Sequence, residues 1–243
     1  MKQSTFKILS NKALTSSVHE MTLSGDCSAI TAPGQFVNIS LPGLYLRRPI
    51  SVCDCEGTSL TLVYKVVGKG SALMASLPVG TELDLLTGLG NGFALEPDSR
   101  KPLLVGGGVG VPPMYKLCKF LLSKGLTPKV VLGFNTATEI FYEDRFRELG
   151  VEVTVTTADG SRGIKGFVTD ALPGLDYDFF YACGPVPMLR ALSLSSDRGG
   201  LVSLEERMAC GFGACVGCTH EMTSGPKRIC KDGPVFRKEE VIW

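Results

Sequence analysis

Hydrophobic and polar positions change rhythm once along this chain. Up to about residue 98, apolar residues come in short alternating or β-branched runs: VHEMTLSG, GQFVNISL, RRPISVCD, SLTLVYKVVG and GTELDLLTG. Gly, Pro, Asp or Ser punctuates them. A period of two marks strands with one buried face, and the punctuation marks tight turns. No convincing helix of ten residues interrupts the series. The pattern predicts a small antiparallel β-barrel over residues 1–98. The polar, proline-flanked stretch LEPDSRKP, residues 95–102, reads as a break.

Beyond Lys101, strand and helix patterns alternate. PLLVGG is a buried-type strand. PPMYKLCKFLLSKG is a helix with proline in its first turn, Met114, Leu117 and Leu121 on one face, and Gly125 as its stop. PKVVLGF, VEVTVTT, DYDFFYACG and GLVSL read as further strands, and YEDRFRELG and VPMLRALSL as helices. Such alternation predicts a parallel sheet with crossover helices, an α/β nucleotide-binding domain over residues 99–202. Residues 203–243 show neither period and read as a small loop-rich segment.

Composition narrows the function classes. A chain of 243 residues has room for two ordinary domains. At 44% hydrophobic and 20% charged it can build a core, which argues against disorder. Its 25 basic and 24 acidic residues leave a net charge of +1 with no basic block, so neither nucleic acid nor an anionic membrane is expected as a partner. No run of apolar residues is long enough for a membrane span, and MKQSTFKILSNK lacks a signal core. The expectation is a cytoplasmic protein, where clustered thiols bind metal or do redox work.

Four of the nine cysteines fall near the C-terminus, at Cys210, Cys215, Cys218 and Cys230. The first three follow the C-x4-C-x2-C run of plant-type two-iron ferredoxins, with a distant fourth ligand. Gly211, Gly213, Ala214 and Gly217 fill the gaps, so backbone amides can close on the sulfurs where larger side chains would collide. Structural zinc more often uses two short-spaced pairs, and only Cys215 and Cys218 make one here. His220 reads as a surface or hydrogen-bonding residue. Cys27, Cys53, Cys55, Cys118 and Cys183 read mostly as small core residues.

Two further stretches suit phosphate. LLVGGGVGVPP, with Gly106, Gly107, Gly108 and Gly110, joins a strand to a helix where amides and the helix dipole receive a pyrophosphate, although it departs from G-x-G-x-x-G. YACGPVPM ends a later strand, so Cys183, Gly184 and Pro185 are expected across one cleft from that loop. In the first domain, RRPIS places Arg48 near Ser51. The guanidinium can pair a phosphate and the hydroxyl can hydrogen-bond a flavin ring. VYKVVGKGS ends in Gly68, Gly70 and Ser71, again suited to a pyrophosphate.

Taken in order, Arg-Pro-Ile-Ser, Gly-Lys-Gly-Ser, Gly-Gly-Gly-Val-Gly-Val-Pro-Pro and Cys-Gly-Pro resemble the ferredoxin-reductase superfamily. SLEERMACGFGACVGC, RICKDGPVF and DGSRGIKGFVTDAL resemble the electron-transfer subunits of class 1B dihydroorotate dehydrogenases, over essentially the whole chain. The resemblance implies an FAD-binding barrel, an NAD-binding domain and a [2Fe–2S] segment over residues 203–243. It implies that Arg48, Pro49, Ile50, Ser51, Val63, Tyr64 and Lys65 contact FAD, that Gly70 and Ser71 hold its pyrophosphate, and that the glycine loop with Cys183, Gly184 and Pro185 positions the nicotinamide. Cys210, Cys215, Cys218 and Cys230 would ligate the cluster. Phe212 stands where an aliphatic residue is expected. The implied partner is an FMN-containing catalytic subunit, in a heterotetramer, that oxidises dihydroorotate in pyrimidine biosynthesis. The residues leave open a reductase subunit of a related flavin and iron–sulfur complex, such as a ferredoxin-linked transhydrogenase, a hydrogenase or an oxygenase. They also leave open a zinc-stapled nucleotide-sensing module.

Overall fold

The computed structural model describes residues 1–243. Its first layer is the barrel: β1 (Lys2–Ala13), β2 (Val18–Ser24), β3 (Phe36–Ile39), β4 (Arg48–Glu56), β5 (Ser59–Lys65), the short helix α1 (Lys69–Ser76) and β6 (Glu82–Leu89). The six strands close in the order β1-β2-β5-β4-β3-β6 with antiparallel pairing throughout. Alternate residues such as Ile8, Met21, Val37, Leu62 and Leu85 fill the interior, as period-two strands require.

The pattern of apolar runs did not single out β1, which closes the barrel by pairing with both β2 and β6. Of its twelve residues only Phe6 and Ile8 are buried. A strand that offers the core two side chains leaves a weak signal in a polar stretch.

The second domain comprises β7 (Pro102–Gly107), α2 (Val111–Ser123), β8 (Lys129–Phe134), α3 (Glu143–Glu148), β9 (Val153–Thr157), β10 (Ile164–Lys165), β11 (Phe179–Cys183), α4 (Val186–Ser195) and β12 (Gly199–Ser203). Its long strands and helices match the expected series. Met114, Leu117 and Leu121 are buried on α2, and Gly125 adopts φ +77° just past it, the left-handed turn that ends a helix cheaply only at glycine.

The C-terminal segment holds β13 (Thr219–His220), β14 (Lys227–Arg228), α5 (Ile229–Asp232) and β15 (Val235–Arg237). It is not a separate appendage. β15 pairs antiparallel with β12 and becomes the edge of a sheet ordered β10-β9-β8-β7-β11-β12-β15. All other neighbours in that sheet are parallel. Three residues are too few to show a period, so this strand was not legible as one.

Cores also cross the domain boundary. Val18, Cys53 and Val63 from the barrel pack in one apolar cluster with Val111 and Met114 of α2. Phe36 and Leu89 join Cys218, Ile229 and Cys230 in another. Apolar packing therefore runs across both boundaries of the barrel. No helix is long and apolar enough to cross a membrane.

Candidate functional site

The glycine loop and the end of β11 meet as expected. β7 and β11 are parallel neighbours, with Cys183 opposite Gly106, so both strands deliver their C-terminal ends to one place. A Cβ on Gly107 would run into Met188, and one on Gly110 would strike the Cys183 carbonyl. At Gly110, where the obstacle is backbone, only glycine allows that approach. Gly108, at φ +50°, faces open space. The cavity beside them has a volume of about 590 Å³ and is lined by Gly107, Gly184, Pro185, Thr156, Glu205 and the barrel residue Lys65, among others. The Thr156 hydroxyl is buried there without a partner, a vacant polar handle of the kind a bound nucleotide satisfies.

Cys183 itself is buried, and burial pushes its thiol up to about 12. It is a neutral, small wall residue. Glu205 is a residue that motif reasoning missed. It follows β12 by two positions and lines the cavity. Desolvation by the surrounding chain raises its carboxyl. Its position past the C-terminal end of a parallel strand, where ligands gather, was the available signal.

On the barrel, Arg48 lies against Gly70, where a Cβ would run into its guanidinium. Arg48 donates only to backbone carbonyls, those of Leu46 (2.5 Å) and Arg47 (3.3 Å). Arg47, by contrast, is committed to Asp84 at 2.6 Å. The Arg48 charge thus has no carboxylate partner and sits at the start of α1, whose first turn carries no acidic residue. Cation and helix start together suit a diphosphate. Ser71 is turned back on its own loop, accepting from the amides of Val67 (2.9 Å) and Gly68 (3.1 Å). It shapes the turn.

Pro49, Ile50 and Ser51 are half-buried on β4. Val63 is covered by the second domain. Lys65 reaches the cavity. Tyr64 faces the other way: it is 2% exposed, lies inside the barrel, and donates its hydroxyl to Asn11 Oδ1 at 3.0 Å. Strand alternation sends its side chain inward between two outward neighbours, so Tyr64 can meet a flavin only through its backbone.

The four C-terminal thiols fall into two pairs. The Cys210 and Cys215 sulfurs are 3.4 Å apart, and the Cys230 amide donates to Cys218 Sγ at 3.5 Å. No three of them converge on a single ion position. Paired thiols are the arrangement a two-iron cluster takes, with two thiolates at each iron. Left-handed backbone at Gly211 (φ +75°) and Gly213 (φ +90°) turns the loop inward. Burial pushes the Cys210 thiol up, but the amides of Cys215, Phe212 and Gly213 outweigh it and lower the thiol to about 6. Burial, followed by the adjacent Cys218 sulfur, pushes Cys230 up to about 12. Backbone amides thus favour the thiolate at Cys210, whereas burial and the Cys218 sulfur favour the neutral thiol at Cys230.

His220 pairs with Glu206 at 3.2 Å and stands outside the thiol set. Cys27, Cys53 and Cys118 are buried, and Cys55 is half-buried. Phe212 and Val216 of the cluster loop are exposed, at 43% and 76%.

Comparison with known proteins fits this geometry. Residues 205–242 match the family described as the iron–sulfur cluster binding domain of dihydroorotate dehydrogenase B. Residues 104–193 match the oxidoreductase NAD-binding domain. The chain is 43% identical to the dihydroorotate dehydrogenase B (NAD(+)) electron transfer subunit of Geobacillus sp. (strain WCH70), covering 100% of this chain and 99% of that one. It is 41% identical to the same subunit of Bacillus mycoides (strain KBAB4), at the same coverage. Among solved structures, a chain from NADH-dependent reduced ferredoxin–NADP oxidoreductase superposes with a TM-score of 0.89 at 33% identity, over 98% of this chain and 90% of that one. A ferredoxin NADP+ reductase from Neisseria gonorrhoeae shares the fold, with a TM-score of 0.69 at 20% identity over 80% of this chain and 90% of that one. With its cavity, barrel and paired thiols matched along its full length, this chain is an oxidoreductase subunit and belongs to the family of dihydroorotate dehydrogenase B electron-transfer subunits.

Proposed function

We propose that the chain accepts electrons from an FMN-containing catalytic subunit that oxidises dihydroorotate, and delivers them to NAD+ in pyrimidine biosynthesis. Its cofactors are FAD, a [2Fe–2S] cluster and NAD. FAD when bound exchanges two-electron hydride equivalents with a nicotinamide and single electrons with an iron–sulfur centre. The observation that carries this reading is the junction itself: the cluster loop and the nucleotide cavity both abut the strands of one barrel.

The residues divide the work. Arg48 and the start of α1, with Gly70, hold the FAD diphosphate, and Ser71 keeps that turn in shape. Pro49 and Ser51 line the flavin side of β4, while Ile50 and Tyr64, whose side chains pack toward the barrel interior, contribute through their backbone, and Val63 and Lys65 contribute from β5. Gly106, Gly107, Gly108 and Gly110, with Cys183, Gly184 and Pro185, admit the nicotinamide nucleotide, and Thr156 and Glu205 offer it polar contacts. Cys210, Cys215, Cys218 and Cys230 hold the cluster. No side chain in the cavity needs to act as a general base, because the chemistry handed to this subunit is electron and hydride transfer. The exposed Phe212 and Val216 mark the face that meets the catalytic subunit, in a heterotetramer. We place the complex in the cytoplasm, where thiols such as these stay reduced.

A second reading, a subunit of a related ferredoxin-linked complex, is favoured by the 33% identical structural relative. One experiment separates the two. The cofactor-loaded chain alone should oxidise NADH with an artificial dye as acceptor, and should reduce NAD+ with dihydroorotate only after the catalytic subunit is added. Dihydroorotate oxidation by this chain alone would overturn the proposal. Failure of the pair to couple, with ferredoxin-linked activity in its place, would select the second reading.

A further inference from the structure

The barrel strand next to the proposed flavin strand carries one polar side chain toward the thiol loop. Asn38, on β3, is 1% exposed. Its strand neighbours Val37 and Ile39 point into the barrel, so alternation turns Asn38 outward, as it does Phe36. Across the β3–β4 ladder Asn38 stands opposite Pro49. On its other side its Nδ2 donates to the backbone carbonyl of Cys210 at 3.0 Å. Gly211 lies so close over the amide that a Cβ there would run into Nδ2.

The position is braced from behind. Arg47 donates to the Asn38 carbonyl at 3.3 Å and to the Asp84 carbonyl at 3.0 Å, and its ion pair with Asp84 fixes the guanidinium. Asn38 also carries a cost. Its Oδ1 is buried with no hydrogen-bond partner. A half-satisfied buried amide is a poor way to stabilise a barrel, and an apolar residue of similar size would serve packing better. The amide makes sense as a donor aimed at one acceptor, the carbonyl of a cysteine in the thiol set.

We propose that Asn38 is the positioning residue that registers the cluster loop against the flavin-carrying barrel. It holds Cys210 through its carbonyl, and it offsets the negative end of that carbonyl dipole beside the thiolates. Hydrogen bonds in the surroundings of a metal site set both ligand orientation and potential. The inference rests on the assignment of the four thiols to an iron–sulfur cluster.

The test is Asn38→Leu in the cofactor-loaded full chain. FAD content, iron content, the electron paramagnetic resonance spectrum of the reduced cluster and its midpoint potential would all be measured. We expect FAD to be retained, the resonance positions to move and the cluster potential to shift negative, because an added electron loses its nearby donor. Loss of iron with FAD retained supports the same role in a stronger form. An unchanged spectrum and potential would overturn the proposal. Loss of FAD together with iron would overturn it too, since Asn38 would then serve the barrel's fold. Wild-type protein without iron would instead defeat the cluster assignment, whereas iron-replete wild type with an indifferent Asn38 defeats only this inference.

Discussion

The barrel meets the rest of the molecule at two junctions, and they are built differently. Toward α3 it presents Glu20, 3% exposed. Tyr142 donates its hydroxyl to Glu20 Oε2 at 2.7 Å, Arg145 pairs with the same oxygen at 2.9 Å, and Lys12 reaches the other at 3.2 Å. Cys53 donates its thiol to the Tyr142 hydroxyl at 3.2 Å. Tyr142 takes up the left-handed φ of 68° to get there, a conformation that a bulky residue holds only when its surroundings compel it. Toward the cluster loop, polar contact runs instead from side-chain amides to backbone. Asn38 holds the Cys210 carbonyl, and Asn91 holds the Asp232 carbonyl at 2.9 Å.

The first junction is complete as protein. Charges, hydroxyl and thiol satisfy one another, and the two domains are fixed without a ligand. The second joins apolar packing of Phe36 and Leu89 on Cys218, Ile229 and Cys230 to a few amide bonds, those of Asn38, Asn91 and the Asn91 N–H on the Gly233 carbonyl, and none of its contacts is an ion pair of the Glu20 kind. A cluster held by Cys210, Cys215, Cys218 and Cys230 would add to the stability of that loop, because metal binding to thiolates is coupled to folding. The difference implies that removing the metal should loosen one junction and leave the other intact.

The largest expected effect tests that directly. Cys218→Ser should abolish the cluster and make the segment after Leu204 sensitive to protease, while the barrel keeps its flavin. Iron analysis, flavin absorbance and limited proteolysis read the three parts, and a full complement of iron would break the contrast. Next, Arg145→Ala should cost about 2–3 kcal/mol in urea unfolding. Stripping one partner from a fully buried pair costs more, but Arg145 is partly exposed and Lys12 remains beside Glu20. That variant should leave the iron content untouched.

On the flavin side, Arg48→Ala should weaken FAD binding by roughly 1.5–3 kcal/mol, the range for a hydrogen bond to a charged group. Flavin retention on dilution measures it, and unchanged occupancy would remove Arg48 from the diphosphate site. The smallest effect is a pH dependence confined to the first junction. Burial pushes the Glu20 carboxyl up, but Tyr142, Arg145 and Lys12 outweigh it and hold it below its ordinary 4.5. The folded state therefore binds fewer protons than the unfolded state around that pH. Its stabilisation is present above 4.5 and fades as pH falls through the lowered folded value. Glu20→Gln should flatten this acid limb of the melting temperature below about pH 4.5.

Much of this molecule could be read from its residues alone. Period-two runs marked five of the six barrel strands, and the strand–helix alternation after Lys101 matched every strand from β7 to β12 except β10, whose two residues are too few to show a pattern. Each of those signals is local: a strand or a helix repeats its buried face every few residues, so a short window carries it. The cysteine spacing is local as well, since a loop that wraps a cluster brings its ligands from nearby positions. The glycine loop was legible as a strand-to-helix turn because one packed against the end of a neighbouring strand, as Gly110 is on Cys183, must spare its side chains.

Tertiary structure alone decided the rest. It turned the Tyr64 side chain into the barrel. It grouped the four thiols as two pairs, drew β15 into the sheet beside β12, and set Glu205 at the cavity. It also joined Glu20 to Tyr142, and Asn38 to Cys210, across gaps of 122 and 172 residues. Contacts at such separations leave no period in the chain, because neither partner's neighbours need change for the pair to form. They arise only when closure of the barrel and docking of the second domain bring two surfaces together, and only then does a lone asparagine or glutamate acquire its role.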